Sequence, residues 1–403
     1  MEKSVIQCMK ILVANLGSTS LKWRLFGLED QQVHLLHKGG LERVTEYSEA
    51  INDCLDQLKY VGAIQDESEL SAVGFKTVLA QSVTGCVALD EAVLQDMEEG
   101  NLIAPAHNPP YLTGIRLFAD RMPRTPLIGL FETAFYQWIP ETAKRYGVPR
   151  SWHQAGVRRW GFHGASHKYI AERSAELLGR EDIAHRARQL YVDGGHGLTG
   201  GTDCRVISCH LGGSSSVTGI RNGVAIGNSM GLSPQSGLPH NNRVGDLDAM
   251  AIPFMMRKKG LTLEQVTEDL CSMGGLQGIA GGSNDLRDIQ AQSEQGHEDA
   301  RLAIDFLVAE IRRWIGSYHL ELNGLDALVF TAGIGENRAG LREAVCARLE
   351  NLGVRLDSEA NHACQAQEAI ISPEGSPVKV MVIPANEEWV VAMEVKRFLE
   401  KNT

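Results

Sequence analysis

The chain of 403 residues is long enough for two domains with substantial hydrophobic cores. Hydrophobic residues make up 43% of it and charged residues 22%, which excludes an intrinsically disordered protein. The net charge of −11 argues against a nucleic-acid binder, which would need a basic face. Eight cysteines without a C-x-x-C pair, and the lack of an apolar run of membrane-spanning length, predict reduced thiols in a cytoplasmic protein that does not enter a membrane.

The first pattern along the chain is a strand, a glycine loop and a second strand over about residues 10–28. An apolar run reaches Asn15, Gly17 allows a tight turn, and a β-type run restarts at Leu21. The loop region carries four small polar side chains: Asn15, Ser18, Thr19 and Ser20. Such side chains beside exposed backbone N–H groups form a nest that suits phosphate or a hydrated cation.

Alternating helices and strands follow. The predicted elements are a helix, a strand, two helices and a short buried strand over residues 47–60, 70–79, 90–99, 109–121 and 127–131. Lys76 falls inside the longer strand, where a lysine usually marks a solvated face. Glu132 directly follows the buried strand, at the end where α/β sheets place chemistry. A helix N-terminal charge is an equally open interpretation of Glu132.

Residues 160–167 predict a glycine-pinned loop before a helix over about 166–178. His163 and His167 are four residues apart, but no carboxylate or cysteine stands nearby at ligand spacing, which argues against a metal pair. We interpret Ser166 as the N-cap of this helix. His163 is either a hydrogen-bonded loop histidine or a donor to phosphate.

Residues 195–200 match the pattern G-x-G-x-x-G and follow a strand-like segment over 189–192. A dinucleotide-binding turn must open a helix, whereas a strand-like segment over 205–208 comes next here. The sequence therefore predicts a flexible glycine-rich insertion over 188–204 instead of a dinucleotide site.

The strand–loop–strand pattern returns over residues 207–217, with His210 where the first copy has Asn15. Its loop consists of small residues: Gly212, Gly213 and Ser214. Either hairpin alone is an ordinary turn pattern. The repetition favours a duplicated α/β fold that grips a nucleotide between its halves.

The remaining segments predict a long functional loop and a mostly helical end. The loop over 230–245 carries Arg243, a candidate clamp for an anion. Helices are predicted at about 246–258 and 262–273, after 288, over 297–321 and from 387; strands are predicted at 327–331 and 378–383. The glycine turn over 332–337 opens a helix and is well placed for nucleotide contact. No linker divides the chain, so we place the domain boundary near 149–150.

These motifs together make the chain resemble the acetate kinase family of the sugar kinase, heat-shock and actin superfamily, over nearly its whole length. The motifs that carry the resemblance are residues 15–22, 107–110, 160–167, 331–337 and 384–388. The resemblance implies a duplicated, actin-like and ribonuclease H-like α/β fold with an active-site cleft between two domains. The N-terminal domain would comprise 1–149 plus 387–403, and the nucleotide-binding domain 150–386. It also implies a homodimer.

The resemblance further implies a kinase that uses ATP and Mg²⁺ (or Mn²⁺) to convert a short carboxylate into an acyl phosphate, with ADP as the other product. The implied catalytic residues are Glu132, His163 and Arg243, and the implied metal-binding residues are Asn15 and Glu387. The implied phosphate and nucleotide residues are Ser18, Ser20, Lys22, His210, Leu211, Gly212, Gly213, Ser214, Asp285, Leu286, Arg287, Gly333, Ile334, Gly335, Glu336 and Asn337. The implied substrate residues are Lys76, Val78, Ala106, Phe162 and Pro234.

The chain departs from the family pattern mainly on the acid-binding side. Lys76 stands where the family has the arginine that binds the substrate carboxylate, Glu132 replaces an aspartate, and Ala106 replaces a leucine. Phe75 and Leu79 replace two histidines. Since lysine is a point charge and alanine leaves room, we expect an acid larger than acetate to be preferred. Acetate itself, or a regulatory nucleotide binder without transfer activity, are the alternatives.

Overall fold

The structure is a computed structural model that describes residues 9–17, 19–29, 32–104, 108–195 and 202–402. Its strands in chain order are β1 (Met9–Gly17), β2 (Ser20–Glu29), β3 (Gln32–Glu42), β4 (Leu70–Thr77), β5 (Cys86–Ala88), β6 (Leu127–Phe131), β7 (Arg205–Leu211), β8 (Ser215–Arg221), β9 (Val224–Asn228), β10 (Ala327–Thr331), β11 (Ala369–Ile370) and β12 (Lys379–Val382). The predicted hairpins correspond to β1–β2 and β7–β8.

The helices surround the strands. In chain order they are α1 (Tyr47–Tyr60), α2 (Glu91–Glu99), α3 (Asn108–Arg121), α4 (Glu141–Lys144), α5 (Arg150–Gln154), α6 (Gly164–Leu177), α7 (Glu181–Arg188), α8 (Leu190–Asp193), α9 (Ala251–Lys259), α10 (Leu263–Ser272), α11 (Gly275–Ala280), α12 (Leu286–Glu294), α13 (Glu298–Leu322), α14 (Ala332–Asn337), α15 (Ala339–Cys346), α16 (Ser358–Ala363) and α17 (Glu387–Asn402). No helix in the described ranges combines the length and apolarity needed to cross a bilayer.

The described strands form two six-stranded sheets with the same topology. The first has the order β3-β2-β1-β4-β6-β5 and the second the order β9-β8-β7-β10-β12-β11. In each, three antiparallel strands are followed by two strands parallel to the first and by an antiparallel edge strand. The predicted fold class, a duplicated two-domain α/β protein, is therefore confirmed.

The two hairpins occupy equivalent places in the two sheets. Asn15 pairs with Lys22 across β1–β2, and His210 pairs with Ser216 across β7–β8. Both strands that carry these residues are central in their sheet, and their middle residues are buried. Central strands of this kind hold their terminal polar residues at a defined position, which is how each hairpin can present a rigid loop.

Separate hydrophobic cores lie under the two sheets. The last helix, α17, packs against β1, β4 and β6 of the first sheet, although it follows the second sheet in the chain. Phe135, Tyr136 and Ile139 pack in a core with side chains of α6, α7 and β10, on the side of the second sheet. Residues after β6 contribute to both cores, since Ala134, Trp160 and Phe162 lie in the core of the first sheet.

Three local predictions differ from the structure. Ser166 is not an N-cap: α6 begins at Gly164, its N-cap is His163, and the Ser166 hydroxyl bonds His210 instead. The segment over 189–192 lies within a helical turn at α8, because Leu190 packs into the second core. The helix predicted from 246 begins only at Ala251.

Candidate active site

A cavity of about 450 Å³ lies between the two halves of the molecule. Its lining residues from the first half are Asn15, Leu16, Gly17, Lys76, Val78, Tyr111 and Glu132; those from the second half are Phe162, His163, Ser214, Pro234 and Arg243. We call this the inner cavity. It brings together the three residues predicted to be catalytic and four of the five predicted to contact the acid.

A lysine held between two carboxylates forms the floor of the inner cavity. The Lys76 ammonium lies 2.9 Å from Glu132 Oε1 and 2.8 Å from Glu387 Oε2. β4 supplies the lysine, the turn after β6 supplies Glu132, and the first residue of α17 is Glu387. The interpretation of Lys76 as a residue on a solvated face is wrong, because its side chain is only 20% exposed and paired on both sides.

The three charges shift one another's pKa values. Burial alone would lower the pKa of Lys76, but Glu132 and Glu387 raise it well above its ordinary value. Burial raises the pKa of Glu132, and the attraction of Lys76 only partly offsets this. Burial also acts to raise the pKa of Glu387, but Lys76 and His210 bring it below its ordinary value. The lysine is therefore a permanent cation, and Glu132 is the carboxylate more easily protonated.

Each of the two carboxylates keeps one buried oxygen without a partner among the described residues. These oxygens are Glu132 Oε2 and Glu387 Oε1. Nearby, Asn15 Oδ1 accepts a hydrogen bond of 2.8 Å from the Tyr111 hydroxyl. The described residues contain no cluster of three or more histidine, cysteine, aspartate or glutamate side chains suited to a metal ion. Any cation here would need further ligands from a bound molecule.

His163 reaches the inner cavity from a strained backbone position. It is the N-cap of α6 and has φ of 60° and ψ of 32°, in the left-handed region that non-glycine residues rarely adopt. Gly164 follows it, and its N–H donates to the Glu132 carbonyl at 2.9 Å. A Cβ at position 164 would lie 2.3 Å from that carbonyl oxygen. The glycine thus lets the start of α6 lie directly against Glu132.

Behind His163 lies a buried group of histidines and serines. The His163 and His210 rings are stacked with centroids 4.0 Å apart. Serine hydroxyls bond the ring nitrogens at 2.8 Å: Ser216 to His163 and His167, Ser208 to His167, and Ser166 to His210. Burial lowers the pKa of all three histidines, to about 4 for His210. Close to pH 7 the rings are therefore neutral.

Arg243 enters the inner cavity from the long loop between β9 and α9. Its guanidinium donates one hydrogen bond of 3.0 Å to the Pro234 carbonyl, and burial lowers its pKa. Gly275, with φ of +61°, lies against this loop: a Cβ there would be 2.2 Å from the His240 carbonyl and 2.6 Å from that of Arg243. Gly275 thus packs closely against the loop. Within the described ranges the guanidinium donates to the Pro234 carbonyl alone, which leaves its other donors for a ligand.

A second cavity of about 420 Å³, the outer cavity, lies on the second sheet. Its lining residues are Gly212, Gly213, Asn241, Asp285, Leu286, Arg287, Gly333, Ile334, Asn337 and Arg338. Eight of these are predicted nucleotide residues from three separate motifs. The loop of the β7–β8 hairpin borders both cavities, since Gly212 and Gly213 line the outer one and Ser214 the inner one.

Other predicted residues lie outside both cavity linings. Lys22 is exposed, pairs with Glu42 at 3.0 Å and lines a third, separate cavity. Leu211 and Gly335 are buried or packed against backbone, Glu336 accepts from the Ala385 N–H, and Ser20 lies at the start of β2. Ser18, Ala106 and residues 196–201 of the glycine-rich insertion fall outside the described residues.

Several lining or supporting residues were not predicted. Tyr111, Asn241 and Arg338 line the cavities, and Ser208 and Ser216 contact the histidines. Asn241 was within reach of sequence reasoning, because it lies in the long loop two residues before Arg243. The two serines carry no such signal, since a serine in a strand is ordinary.

Two sheets of the same topology, with a charged cavity between them, define a two-domain α/β protein with duplicated halves. Residues 10–393 match the acetokinase family. The chain is 38% identical to the acetate kinase of Carboxydothermus hydrogenoformans, over 96% of this chain and 98% of the other. It therefore belongs to the acetokinase family, and the resemblance noted in its motifs is confirmed.

Solved structures agree with this assignment. The crystal structure of Porphyromonas gingivalis acetate kinase superposes with a TM-score of 0.85 at 32% identity, covering 97% of this chain and all of the other. A propionate kinase from Francisella tularensis superposes with a TM-score of 0.81 at 30% identity, covering 96% and 98%. The solved structures that resemble this chain are thus named for two different short acids.

Proposed function

We propose that this protein is an ATP- and Mg²⁺-dependent carboxylate kinase that transfers the γ-phosphoryl group to a short carboxylate, reversibly, giving an acyl phosphate and ADP. The observation that carries the proposal is the β7–β8 loop, which borders both cavities. A nucleotide in the outer cavity would direct its phosphates past Gly213 and Ser214 toward Arg243 and His163. Membership of the acetokinase family supports the same reaction.

The chemistry needs positioning and charge neutralisation more than acid–base catalysis. A carboxylate is ionised at neutral pH, so it can attack phosphorus without a general base. Arg243 offers a planar fork to the equatorial phosphoryl oxygens, and the neutral His163 ring offers a directional N–H. Val78, Phe162 and Pro234 supply an apolar wall for the acyl group. Glu132 keeps Lys76 in place.

Magnesium fits the residues present. Mg²⁺ in kinases is held by one or two carboxylates together with substrate phosphates. The unpartnered buried oxygens of Glu387 and Glu132 are suitable donors, and Asn15 would act through water. When bound with the nucleotide, the ion would neutralise charge on the β- and γ-phosphates. Mn²⁺ would fit the same oxygen ligands.

A hydroxylamine trap for acyl phosphate, run over a panel of acids, tests the proposed function. We expect product with ATP and Mg²⁺, and kcat/KM about tenfold higher for an acid larger than acetate, such as propionate, butyrate or a substituted short acid. Each extra buried CH₂ contributes about 0.8 kcal/mol, or about fourfold, so a tenfold preference corresponds to nearly two such groups. Acetate as the best substrate would overturn the expected preference alone. A lack of product with every acid would instead favour the regulatory nucleotide binder.

The outer cavity can be tested through Gly333. A Cβ at this position meets nothing within 4 Å, so Gly333→Val should fold normally while its side chain enters the cavity. We expect the KM for ATP to rise about tenfold, which corresponds to about 1.4 kcal/mol, with little change in kcat. Gly340→Val is the matched control, because position 340 is equally open but does not line the cavity. Equal KM values for the two variants would contradict the assignment.

The domain division and the assembly are also proposals. We retain an N-terminal domain of 1–149 plus 387–403 and a second domain of 150–386, closing on each other when nucleotide and acid bind. A homodimer is supported by α9, where no described residue is buried: Phe254 and the preceding Met250 are more than 60% exposed. A cytoplasmic location is supported by the free thiols of the seven described cysteines.

A further inference from the structure

The buried histidine group contains a continuous chain of hydrogen bonds that ends in the inner cavity. Ser208 Oγ lies 2.8 Å from His167 Nδ1, His167 Nε2 lies 2.8 Å from Ser216 Oγ, and Ser216 Oγ lies 2.8 Å from His163 Nδ1. We call these four residues the serine–histidine chain. The first three are fully buried. The remaining ring nitrogen of His163, Nε2, has no hydrogen-bond partner among the described residues, and His163 lines the inner cavity.

Each side chain of the serine–histidine chain can donate only one hydrogen bond. A neutral imidazole carries one proton, on Nδ1 or on Nε2, and a hydroxyl donates one. The pKa values of His163 and His167 are lowered well below their ordinary value by burial, so both rings are neutral. Hence Ser216 can donate to one of its two rings only, and the tautomer of one histidine constrains the tautomer of the other.

The direction in which protons are donated along the serine–histidine chain follows from Ser208. Within the described residues its hydroxyl has one hydrogen-bond partner, His167 Nδ1, and an unpaired buried donor is strongly disfavoured. Ser208 must therefore donate to Nδ1, which places the His167 proton on Nε2. That N–H donates to Ser216 Oγ, so within the described part of the chain the acceptor left for the Ser216 proton is His163 Nδ1. The His163 proton is then on Nε2.

We propose that Ser208, His167 and Ser216 are positioning residues that fix His163 as the Nε2–H tautomer, so that it presents a donor, and not a lone pair, to an anionic group in the inner cavity. The reverse arrangement would place the Nε2 lone pair against the transferring phosphoryl oxygens. The left-handed backbone conformation of His163 places its ring within hydrogen-bond distance of Ser216. The inference deepens the proposed function and rests on it for the identity of the anion.

The tautomers can be measured without activity. In long-range ¹H–¹⁵N correlation spectra of ¹⁵N-histidine-labelled protein near pH 7, we expect His163 and His167 both protonated at Nε2. Ser208→Ala removes the donor that sets the direction, so we expect the Nε2–H population of both rings to fall, while Ser208→Thr keeps it. A parent protein with His163 protonated at Nδ1, or tautomers that do not respond to Ser208→Ala, would overturn the proposal.

Kinetics then separate positioning from structural support. We expect Ser216→Ala to lower kcat about 10- to 100-fold, as is typical for residues that orient a functional side chain, with less than a twofold change in the KM for ATP. The matched control is Ser166→Ala, which removes a similar serine–histidine hydrogen bond, to His210. That bond is not part of the serine–histidine chain, so the His163 tautomer should stay unchanged. In a His163→Ala background, Ser216→Ala should have no further effect on kcat. A further 10- to 100-fold loss of kcat in the His163→Ala background would mean that Ser216 has a structural role.

The two proposals fail separately. If the parent converts no acid but the spectra show the Nε2–H tautomers and their dependence on Ser208, the proposed function fails and the hydrogen-bond chain stands. If the parent is active but His163 is protonated at Nδ1, only the inference about the serine–histidine chain fails.

Discussion

Arg243→Ala should lower kcat by about 10³-fold, with little change in the KM for ATP. Arg243 lines the inner cavity, and among the residues that the structure describes only the Pro234 carbonyl accepts a hydrogen bond from its guanidinium. The other donors are available for phosphoryl oxygens whose charge is largest in the transition state. Loss of an arginine in such a role typically reduces phosphoryl transfer by about 10³- to 10⁵-fold. Steady-state kinetics with ATP and the best acid measure the effect.

Two further substitutions give this experiment its controls. Arg243→Lys keeps the charge but loses the planar fork, and should recover only a small part of kcat. Arg287→Ala removes an arginine from the outer cavity, which should change the KM for ATP and leave kcat nearly unaffected. An Arg243→Ala variant that turns over within about threefold of the parent would exclude Arg243 from the site.

Lys76→Met should destabilise the protein by about 3–5 kcal/mol near neutral pH, the usual result of removing one partner from a buried ion pair. The substitution leaves Glu132 and Glu387 facing each other without the cation that lies within 3 Å of both. The free energy of unfolding from urea titrations of parent and variant measures the loss.

The loss should grow with pH, and its sign follows from the carboxylates. The folded-state pKa of Glu132 is already raised, so over the range from about 4.3 up to that value the folded protein binds more protons than the unfolded chain. Stability therefore falls as pH rises through this range. Without Lys76 the pKa of Glu132 rises further, so we expect a larger difference between variant and parent at pH 8 than at pH 5. The raised pKa of Lys76 stabilises the parent fully below about 10.4, so it adds no pH dependence between pH 5 and pH 8.

Glu132→Gln in the Lys76→Met background is the matched test, because it removes one of the two opposed charges. It should restore part of the stability and flatten the pH dependence. A Lys76→Met protein as stable as the parent at both pH values would mean that the three charges are not coupled as described. Lys76→Arg should keep the pairing and most of the stability.

Most helices and strands could be predicted from the sequence. α1 and β6 match their predicted bounds, because an amphipathic helix and a short apolar run carry their own signals. The elements that sequence reasoning missed include β3 and β9, which complete each antiparallel meander. Both are edge strands; β3 contains no buried residue and β9 is only five residues long, so neither has a strong hydrophobic pattern. Their pairing depends on a neighbouring strand more than on their own pattern.

The candidate active site could be predicted only in part from the sequence. The resemblance of several local motifs to one family indicated that His163, Arg243 and the nucleotide residues belong to one function. Sequence alone did not indicate that Lys76 is committed to two carboxylates, of which Glu387 is 311 residues away in the chain. The distance between them depends on how α17 packs across the first sheet.

By itself, the sequence determined the family, the duplicated hairpins and the types of side chain available for phosphoryl transfer, since these depend on residue identity at short spacing. Only the tertiary structure decided how those side chains are paired. Ser208 and Ser216 lie 41 and 49 residues from His167, and they reach it only because β7 and β8 bring their side chains together beneath α6. Hydrogen bonds and ion pairs act over about 3 Å, so their partners are set by packing that no local pattern records.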